Sequence, residues 1–310
     1  MKLGIILNPN SRYNLRNPES ADEYQQLGGS FVELRKTSSP DDVTCVAEDF
    51  LKRGISFIGI SGGDGTIHQT LTRLIHVYGK KTIPPVLLLG DGTMNNIAHS
   101  IGIRNKGRAN LKKFLQMVQR RELVLRERTT MHIDSRYCFL FGCGMTSNFL
   151  TELYKGEKGY LKSVDMVKNA IGEVFTSSLF NHEVKLLRPL DGEIYFDGEK
   201  MPLHHMLVVL AGTVEEVGFR LRPLYLASEK RGHFHVIATD LDPKDVLVRL
   251  GIISTGNGKL IRNPRYCDRL VREMVIRSPG PFEYTMDGDI YIADGELEVK
   301  TGPDIQFVVV

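Results

Sequence analysis

The sequence is poor in cysteine and has no apolar run long enough to cross a membrane. Neither CxxC spacing nor the spacing of Cys/His metal ligands occurs among its four cysteines, which are Cys45, Cys138, Cys143 and Cys267. We therefore expect buried, reduced thiols in a cytoplasmic protein. The longest apolar segments, such as residues 207–211, have the length of a strand, so no membrane-spanning helix is predicted. The apolar run at the N-terminus is also far shorter than the core of a secretion signal.

Charge of one sign is not in excess either. The chain of 310 residues has 40 basic and 37 acidic side chains, a net charge of +3. This balance excludes a strongly polycationic or polyanionic surface and argues against a dedicated nucleic-acid-binding protein. With 42% apolar residues the chain is too apolar to be disordered, and its length is typical of two domains.

The first 122 residues alternate between strand and helix patterns. Strands are predicted at residues 2–8, 31–36, 56–60 and 85–89, and helices at residues 43–51, 67–75, 94–101 and 111–118. Ser39-Pro40-Asp41-Asp42 has the residues of a helix N-terminus, and Gly54 is typical of a helix end. The alternation predicts a doubly wound α/β domain over residues 1–122. Its sheet should be mostly parallel, with ligand-binding loops at the carboxyl ends of the strands.

From residue 123 onward the pattern is dominated by short strands. They are predicted at residues 123–133, 137–142, 183–187, 203–211, 233–239, 270–276, 282–286, 297–300 and 306–310, with a hairpin at residues 193–201. One helix interrupts them, with Val164, Val167, Ile171 and Val174 on one face. This pattern predicts a second domain, residues 123–310, built as a mainly antiparallel β-sandwich. Because no flexible linker separates the halves, we expect the two domains to meet across a cleft.

A glycine-rich loop follows the third predicted strand and reads Gly62-Gly63-Asp64-Gly65-Thr66. Glycines between a strand and a helix let successive backbone N–H groups point at phosphate oxygens. The carboxylate of Asp64 would repel phosphates, unless it holds Mg²⁺ or accepts a proton from an attacking hydroxyl. A tight turn with a capping Asp is the structural alternative. A second glycine turn, Gly92-Thr93, ends the next strand and favours a phosphate site.

These motifs resemble those of the diacylglycerol kinase catalytic-domain family, which includes bacterial diacylglycerol kinases, related lipid kinases and sphingosine kinases. The resemblance rests on Asn8-Pro9, on the Gly62-Gly63-Asp64-Gly65-Thr66 loop, on residues 92–98 followed by Ile101-Gly102-Ile103, and on Met286-Asp287-Gly288-Asp289. The Gly-Gly-Asp-Gly-Thr loop also occurs in NAD kinases and phosphofructokinases. The Gly-Thr-x-Asn turn is the feature that is similar to the lipid-kinase branch.

The resemblance implies an ATP-dependent lipid kinase that uses Mg²⁺, with a diacylglycerol or sphingoid-like lipid as acceptor in the second domain. Asp289 would be the catalytic carboxylate that takes the proton of the lipid hydroxyl, and Asp64 would act with Mg²⁺ at the γ-phosphate. The metal would be held by Asp64 and Asp287. The nucleotide would contact Asn8, Thr37, Gly62, Gly63, Asp64, Gly65, Thr66, Gln69, Thr93 and Asn95.

Four positions depart from the family pattern. Asp289 stands in place of Glu, Gln69 in place of Glu, and Asn96 in place of Asp. The fourth is the turn Ser228-Glu229-Lys230-Arg231-Gly232-His233, where bacterial members hold a structural Mg²⁺. Arg231 in the metal-facing position would repel a cation. We expect this turn to bind no Mg²⁺ and Arg231 to supply the positive charge itself.

Two alternatives stay open beside the lipid kinase. A NAD kinase shares the Gly-Gly-Asp loop, although no second NAD-kinase motif is evident. A non-catalytic nucleotide- or lipid-binding homologue of a kinase would be compatible with the substitutions at Gln69, Asn96 and Asp289. The identity of the acceptor and the oligomeric state are not readable from the sequence, so a homodimer also stays open.

The near-neutral chain contains one strongly basic stretch. Residues 104–128 carry nine basic and two acidic side chains, a local charge of +7 that leaves −4 for the rest of the chain. A solvated helix face with ion pairs at the domain junction would account for it. The functional alternative is peripheral docking on anionic lipid at the inner membrane face, where each basic group contributes about 1 kcal/mol.

Overall fold

The computed structural model describes residues 1–92, 95–155, 187–217 and 221–310. Thr93, the helix predicted around Val164 and Ile171, and nearly all of the strand predicted at residues 183–187 lie outside the described residues. In the described part of the chain, no helix is both long enough and apolar enough to span a bilayer.

The first half of the chain forms a parallel sheet flanked by helices. Its elements are β1 (Leu3–Leu7), α1 (Arg12–Arg16), α2 (Ser20–Gly28), β2 (Val32–Lys36), α3 (Pro40–Arg53), β3 (Phe57–Ser61), α4 (Asp64–Tyr78), β4 (Val86–Leu88), α5 (Asn96–Ser100) and α6 (Gly107–Arg120). The strand order is β2-β1-β3-β4, and every pair is parallel. β1, β3 and β4 are buried along their whole length, as expected for strands covered on both faces. The predicted doubly wound domain is confirmed.

Helix α3 shows how local residues determine an element. The Ser39 hydroxyl accepts from the N–H of Asp42, whose carboxylate accepts in turn from the N–H of Ser39, which completes a capping box. Pro40 occupies the first helical position, where no intrahelical N–H is needed. Gly54 ends the helix in the left-handed conformation, with φ of 61°. The helix start and end are therefore as the sequence predicted.

The second half is mainly antiparallel. Its elements are β5 (Val124–Ile133), β6 (Arg136–Cys138), β7 (Leu140–Gly144), α7 (Met145–Lys155), β8 (Leu190–Asp191), β9 (Glu193–Phe196), β10 (Glu199–Lys200), β11 (His205–Met206), β12 (Val208–Gly212), β13 (Phe234–Thr239), α8 (Pro243–Ser254), β14 (Tyr266–Val271), β15 (Glu273–Arg277), β16 (Phe282–Met286), β17 (Asp289–Ala293) and β18 (Glu296–Val309).

Two sheets of this half pack face to face. A six-stranded sheet has the order β14-β13-β12-β7-β16-β17, and the large sheet continues from β4 through β18 to β15, β9 and β10. Phe141 and Val209 of the six-stranded sheet share one core with Ile194 and Ile276 of the large sheet. Interdigitated inner faces of two antiparallel sheets define a β-sandwich, which confirms the predicted fold class.

Several predicted strands have different bounds in the structure. The strand predicted at residues 137–142 is divided at Phe139, because the Phe139 N–H donates to the Asp287 carboxylate instead of to a neighbouring strand. The strands predicted at 297–300 and 306–310 are one strand, β18, with a register shift between Thr301 and Asp304. Alternation along one segment does not reveal such irregularities, which depend on the partner strand.

Strand β18 connects the two halves of the fold. It pairs with β15 and β5 in the sandwich, and Phe307 then pairs in parallel with Val86 of β4. The large sheet is therefore continuous across the predicted domain boundary at residues 122 and 123, and that boundary stays a prediction.

The cysteines follow the prediction with one exception. Cys138, Cys143 and Cys267 are buried and free, and burial raises the pKa of each thiol. Cys45 is exposed on α3, so the prediction that it is buried was wrong. Its position falls outside the buried face of α3, which consists of Val43, Ala47 and Phe50.

Candidate functional site

The two glycine loops predicted to bind phosphate lie in contact at the carboxyl ends of β3 and β4. A Cβ atom added to Gly92 would lie 2.6 Å from the Cα atom of Gly63, so a side chain cannot be accommodated there. A Cβ atom on Gly62 would lie 2.5 Å from Thr66. Gly63 is the N-cap of α4, and the first turn of that helix presents its N–H groups beside the loops. Such a surface of backbone donors at a helix N-terminus fits a phosphate group.

Asn8 and Thr37 lie at the ends of the neighbouring strands β1 and β2. The Asn8 side-chain amide donates to the Thr66 hydroxyl at 3.0 Å and thereby joins the end of β1 to the first turn of α4. Thr37 is buried, and its N–H donates to the Leu7 carbonyl oxygen at 2.9 Å. The structure thus brings these two predicted residues to the same sheet edge as the glycine loops.

Asn95 shapes the second glycine loop with its side chain. Its Oδ1 atom accepts from the Gly92 N–H at 2.8 Å, and its Nδ2 atom donates to the carbonyl oxygens of Gly90 and Gly92 at 2.9 and 3.1 Å. The residue is buried and has a φ of 53°, a left-handed conformation that Asn tolerates well. The amide group is therefore engaged within the loop, which makes Asn95 a residue that positions Gly92.

Two carboxylates from distant parts of the chain converge on the first turn of α4. Asp64 accepts from the N–H of Ile97 at 3.4 Å, which links the two loops. The Asp289 carboxylate lies so close to Gly65 that a Cβ atom there would be 3.5 Å from Oδ2. Asp289 is the first residue of β17, so the second half of the chain supplies it to the N-terminus of α4. The positive end of the α4 dipole favours both carboxylates.

Asp287 is bound to the backbone between β6 and β7. Its buried carboxylate accepts from the backbone N–H groups of Phe139 and Leu140 at 3.0 and 2.8 Å. Its own N–H donates to the Leu140 carbonyl oxygen at 3.0 Å, and its φ of 48° is left-handed. These contacts fix the turn that presents Asp289. The role of Asp287 as a metal ligand stays a prediction.

The donor set fits a Mg²⁺ ion that is shared with a nucleotide better than one held by protein alone. Within the described ranges, no group of three or more His, Cys, Asp or Glu side chains is placed to hold a metal ion. Mg²⁺ in phosphate-transfer sites takes one or two carboxylates together with substrate phosphates. Asp64, in the first turn of α4, would be a carboxylate for such an ion.

His68 and Gln69 join α4 to the strand that carries Asp289. His68 is fully buried; its Nδ1 atom lies 2.9 Å from the Tyr137 carbonyl oxygen and 3.6 Å from Asp287 Oδ2. Its Nε2 atom lies 3.2 Å from the Tyr291 hydroxyl, to which the Gln69 amide donates at 3.4 Å. Burial lowers the pKa of His68, but the hydrogen bond and charge of Asp287 outweigh it, and the net shift is upward. Gln69 thus faces β17.

A polar network beneath the loops was not anticipated from the sequence. Asp91 is fully buried and accepts from the Ser61 hydroxyl at 2.6 Å and from the Tyr24 hydroxyl at 2.8 Å. Burial raises the pKa of Asp91, despite these donors. Asn14 donates to the Asn8 carbonyl oxygen at 2.8 Å and so extends the network to the end of β1. The signal that could have revealed it is an acidic residue directly behind the apolar β4 strand.

Arg231 occupies the centre of the turn at residues 228–233. Its guanidinium pairs with Asp304 of β18 and lies 2.8 Å from Glu127 of β5. The Thr129 hydroxyl donates to Asp304 at 2.6 Å and accepts from the Gly232 N–H at 3.1 Å. Arg231 therefore provides the positive charge at this turn, as expected from the sequence, and pairs with two carboxylates.

The basic stretch at residues 104–128 is partly paired. Its ion pairs are Arg104 with Glu216, Arg108 with Glu23, and Arg128 with Glu215, at 3.3, 3.4 and 3.8 Å. Lys112 and Lys113 are exposed on α6. Part of the local charge is thus neutralised within the protein, and lipid docking by this stretch stays a prediction.

The fold is a parallel α/β domain joined to a β-sandwich, with paired glycine loops at a helix N-terminus and a carboxylate that faces them. Comparison with known proteins agrees with this class. Residues 2–125 match the model of the diacylglycerol kinase catalytic domain. The resemblance inferred from the motifs is therefore confirmed for that segment.

Relatives and solved structures extend the comparison. The chain is 34% identical over 99 residues to the probable lipid kinase YegS of Shigella flexneri and to that of Escherichia coli O157:H7 (strain EC4115 / EHEC). The match spans 32% of this chain and 32% of the length of each relative. A solved diacylglycerol kinase structure from Bacillus anthracis str. Sterne matches with a TM-score of 0.66 and 12% identity, covering 99% of this chain and 96% of that one. At this identity the structural match establishes the fold alone.

Proposed function

We propose that this protein is an ATP-dependent lipid kinase that transfers the γ-phosphate to a hydroxyl of diacylglycerol or a sphingoid-like lipid. The observation that carries the proposal is the position of Asp289, whose carboxylate faces Gly65 at the N-terminus of the phosphate-binding helix α4. The family match over residues 2–125 and the lipid-kinase relatives support the same activity.

The residues divide the chemistry between binding and proton transfer. The N–H groups of the two glycine loops and of the first turn of α4 would bind the phosphates, and Asn8 and Thr37 would lie beside the nucleotide. Mg²⁺ bound with ATP would neutralise phosphate charge during transfer. Asp64 would help to hold the Mg²⁺ ion at the γ-phosphate. Asp289 would accept the proton of the lipid hydroxyl as its oxygen attacks the γ-phosphorus, while the bond to the β–γ bridging oxygen breaks and ADP leaves.

The position of Asp287 supports this division. With its carboxylate bound to the amides of Phe139 and Leu140, the turn holds Asp289 in place before substrate arrives. Phosphoryl transfer needs positioning and charge neutralisation more than covalent chemistry from the protein. We also propose that residues 1–122 bind the nucleotide and residues 123–310 the lipid, in a cytoplasmic protein that contacts the membrane peripherally.

The test is transfer of labelled γ-phosphate from Mg-ATP to a panel of lipids by the purified chain. Asp64→Asn should abolish transfer, and Asp289→Asn should reduce it about 100- to 10,000-fold, the usual contribution of a general base. Asp289→Glu should retain activity, since it keeps the charge. Asp294→Asn is the matched control, because Asp294 follows the same strand and is exposed.

A non-catalytic homologue is the second candidate, because Gln69 donates to Tyr291 and Asp289 has a shorter reach than Glu. ATP binding without transfer to any lipid would favour that candidate. Transfer to NAD in the same assay would instead identify a NAD kinase. Full activity of Asp64→Asn would contradict the proposed mechanism.

A further inference from the structure

Four large apolar side chains are exposed around the C-terminal half of α8. They are Val248 at 74%, Leu260 at 64%, and Leu221 and Ile252 at 39% each. We call these four residues, together with the basic residues Lys244 and Lys259, the α8 surface. An exposed apolar residue is ordinary when it stands alone, but several at one place indicate an interaction site.

Backbone contacts bring these residues to the same end of the helix. Val248 and Ile252 are one helical turn apart and share a face. The Asn257 N–H donates to the Ile252 carbonyl oxygen at 3.0 Å, and the Leu260 N–H donates to the Asn257 carbonyl oxygen at 2.9 Å. Leu221 belongs to a segment that precedes the helix. It lies near the end of α8, because the N–H of the next residue, Arg222, donates to the Ser254 carbonyl oxygen at 2.8 Å.

The opposite face of α8 is already occupied. Val246 is buried in a cluster with Leu207, Ile237 and Tyr266, which anchors the helix on the outer face of the six-stranded sheet. The exposed apolar side chains are therefore not needed to hold α8 in place. They belong to a rigid element and point away from the core.

The charge around the α8 surface identifies its partner. Residues 240–265 contain five basic and three acidic residues, a local charge of +2. Arg265 pairs with Asp240 at 3.0 Å and Arg249 with Asp245 at 2.6 Å, so the exposed charge of Lys244, Lys259 and Arg262 is positive. Apolar side chains surrounded by cations match a bilayer in which acyl chains lie beneath anionic headgroups.

We propose that the α8 surface docks the protein on an anionic lipid bilayer. The inference rests on the proposed function for its purpose, because a lipid kinase must reach an acceptor that resides in a membrane. The α8 surface is also connected to the candidate site, because the sheet that supports α8 is the one that carries Asp289 on β17. Docking here would place that sheet at the membrane, without use of the basic stretch at residues 104–128.

The experiment is co-flotation of the full chain with vesicles, without nucleotide or turnover. Vesicles of phosphatidylcholine alone should not bind it, whereas vesicles that also contain phosphatidylglycerol should bind it and release it at high salt. Leu260→Asp should abolish binding. Lys244→Gln with Lys259→Gln should weaken binding about fivefold per charge, roughly 25-fold together.

Matched control variants test whether exposed leucine or lysine side chains elsewhere on the protein contribute to vesicle binding. Leu15→Asp changes a leucine of the same 64% exposure on α1, and Lys112→Gln with Lys113→Gln changes two exposed lysines of the basic stretch. Neither control should weaken binding more than twofold, a margin that is small against about fivefold per charge. The proposal fails if wild-type protein ignores phosphatidylglycerol vesicles, or if the controls weaken binding as much as the α8 variants.

Two further measurements distinguish loss of vesicle binding from a folding defect and from dissociation of a dimer. If Leu260→Asp fails to fold by circular dichroism, the double glutamine variant carries the test, since it changes only exposed side chains. If Leu260→Asp instead dissociates a dimer in sedimentation equilibrium and leaves flotation unchanged, the surface is a self-association site and the proposal is wrong. Kinase activity on detergent-dispersed lipid is measured separately, so failure of the proposed function would leave the flotation result intact.

Discussion

Asp287 and Asp197 occupy nearly identical turns that differ in burial, and this pair allows a quantitative prediction. Each is followed by glycine in a hairpin, with φ of 48° and 49° respectively. Each carboxylate accepts two backbone N–H groups of a neighbouring segment: Asp287 from Phe139 and Leu140, Asp197 from the N–H groups of residues 272 and 273. Asp287 is buried, whereas Asp197 is exposed.

Replacement by alanine should therefore have very different effects. In both turns, alanine in the left-handed conformation costs about 1–2 kcal/mol. In Asp287→Ala the buried Phe139 N–H is also left without an acceptor, at about 1–3 kcal/mol, and the partly buried Leu140 N–H adds to this loss. In Asp197→Ala water can replace the carboxylate. Asp287→Asn keeps an acceptor oxygen and tolerates the turn, so its loss should be the smaller one.

Urea unfolding of the three variants measures these differences directly. We expect Asp287→Ala to lose at least about 1 kcal/mol more than Asp197→Ala, mainly from the orphaned Phe139 N–H. Equal losses in the two alanine variants would refute the reasoning from burial. If Asp287→Asn leaves stability unchanged but raises the Mg²⁺ concentration needed for phosphate transfer, the carboxylate is a metal ligand rather than an anchor.

Three further predictions concern other parts of the fold. Gly92→Ala should push the two glycine loops apart, because its Cβ atom would lie 2.6 Å from Gly63, and should reduce turnover about 100-fold in a steady-state assay. Gly280→Ala is its control, since a Cβ atom there meets nothing within 4 Å. Burial raises the pKa of Tyr78 from 10.0 to about 12, so above pH 10 the unfolded chain loses its proton first and stability falls. Tyr78→Phe should flatten that fall in urea unfolding at alkaline pH. Arg231→Ala should change stability little, since the Arg231 side chain is 67% exposed, but should add a Mg²⁺-dependent rise in melting temperature that wild type lacks.

The parts of the fold that were predictable depend on local signals. The strands of the parallel sheet are short apolar runs, and α3 has its capping residues in sequence. Helix α8 was not predicted, because it has apolar residues on both faces: Val246 is buried and Val248 is exposed, which hides the helical period. Helix α2 buries mainly Ser20, Ala21 and Tyr24, too few apolar side chains to give a pattern.

The residues of the candidate site that could be predicted are likewise those whose signals lie close together in the sequence. The glycine loops could be predicted because each lies within five residues of sequence, and the family pattern pointed to Asp289. His68 and Asp91 were missed, since their importance comes from partners far along the chain. His68 meets Tyr291, and Asp91 meets Tyr24. Gln69 was assigned to the nucleotide by position alone, and only the packing of α4 on β17 shows that its amide reaches Tyr291.

The long strand β18 has a consequence for how the protein forms in the cell. Ile305, Phe307 and Val308 belong to the same hydrophobic core as the parallel sheet, although more than two hundred residues separate them from β4. A nascent chain that has released only residues 1–122 from the ribosome lacks the strand that pairs with β4. Pairing across more than two hundred residues is slow, because the loop must close before its contacts form. The parallel sheet should therefore complete its fold only after β18 has been synthesised, and until then the open edge of β4 is a site where chaperones would bind.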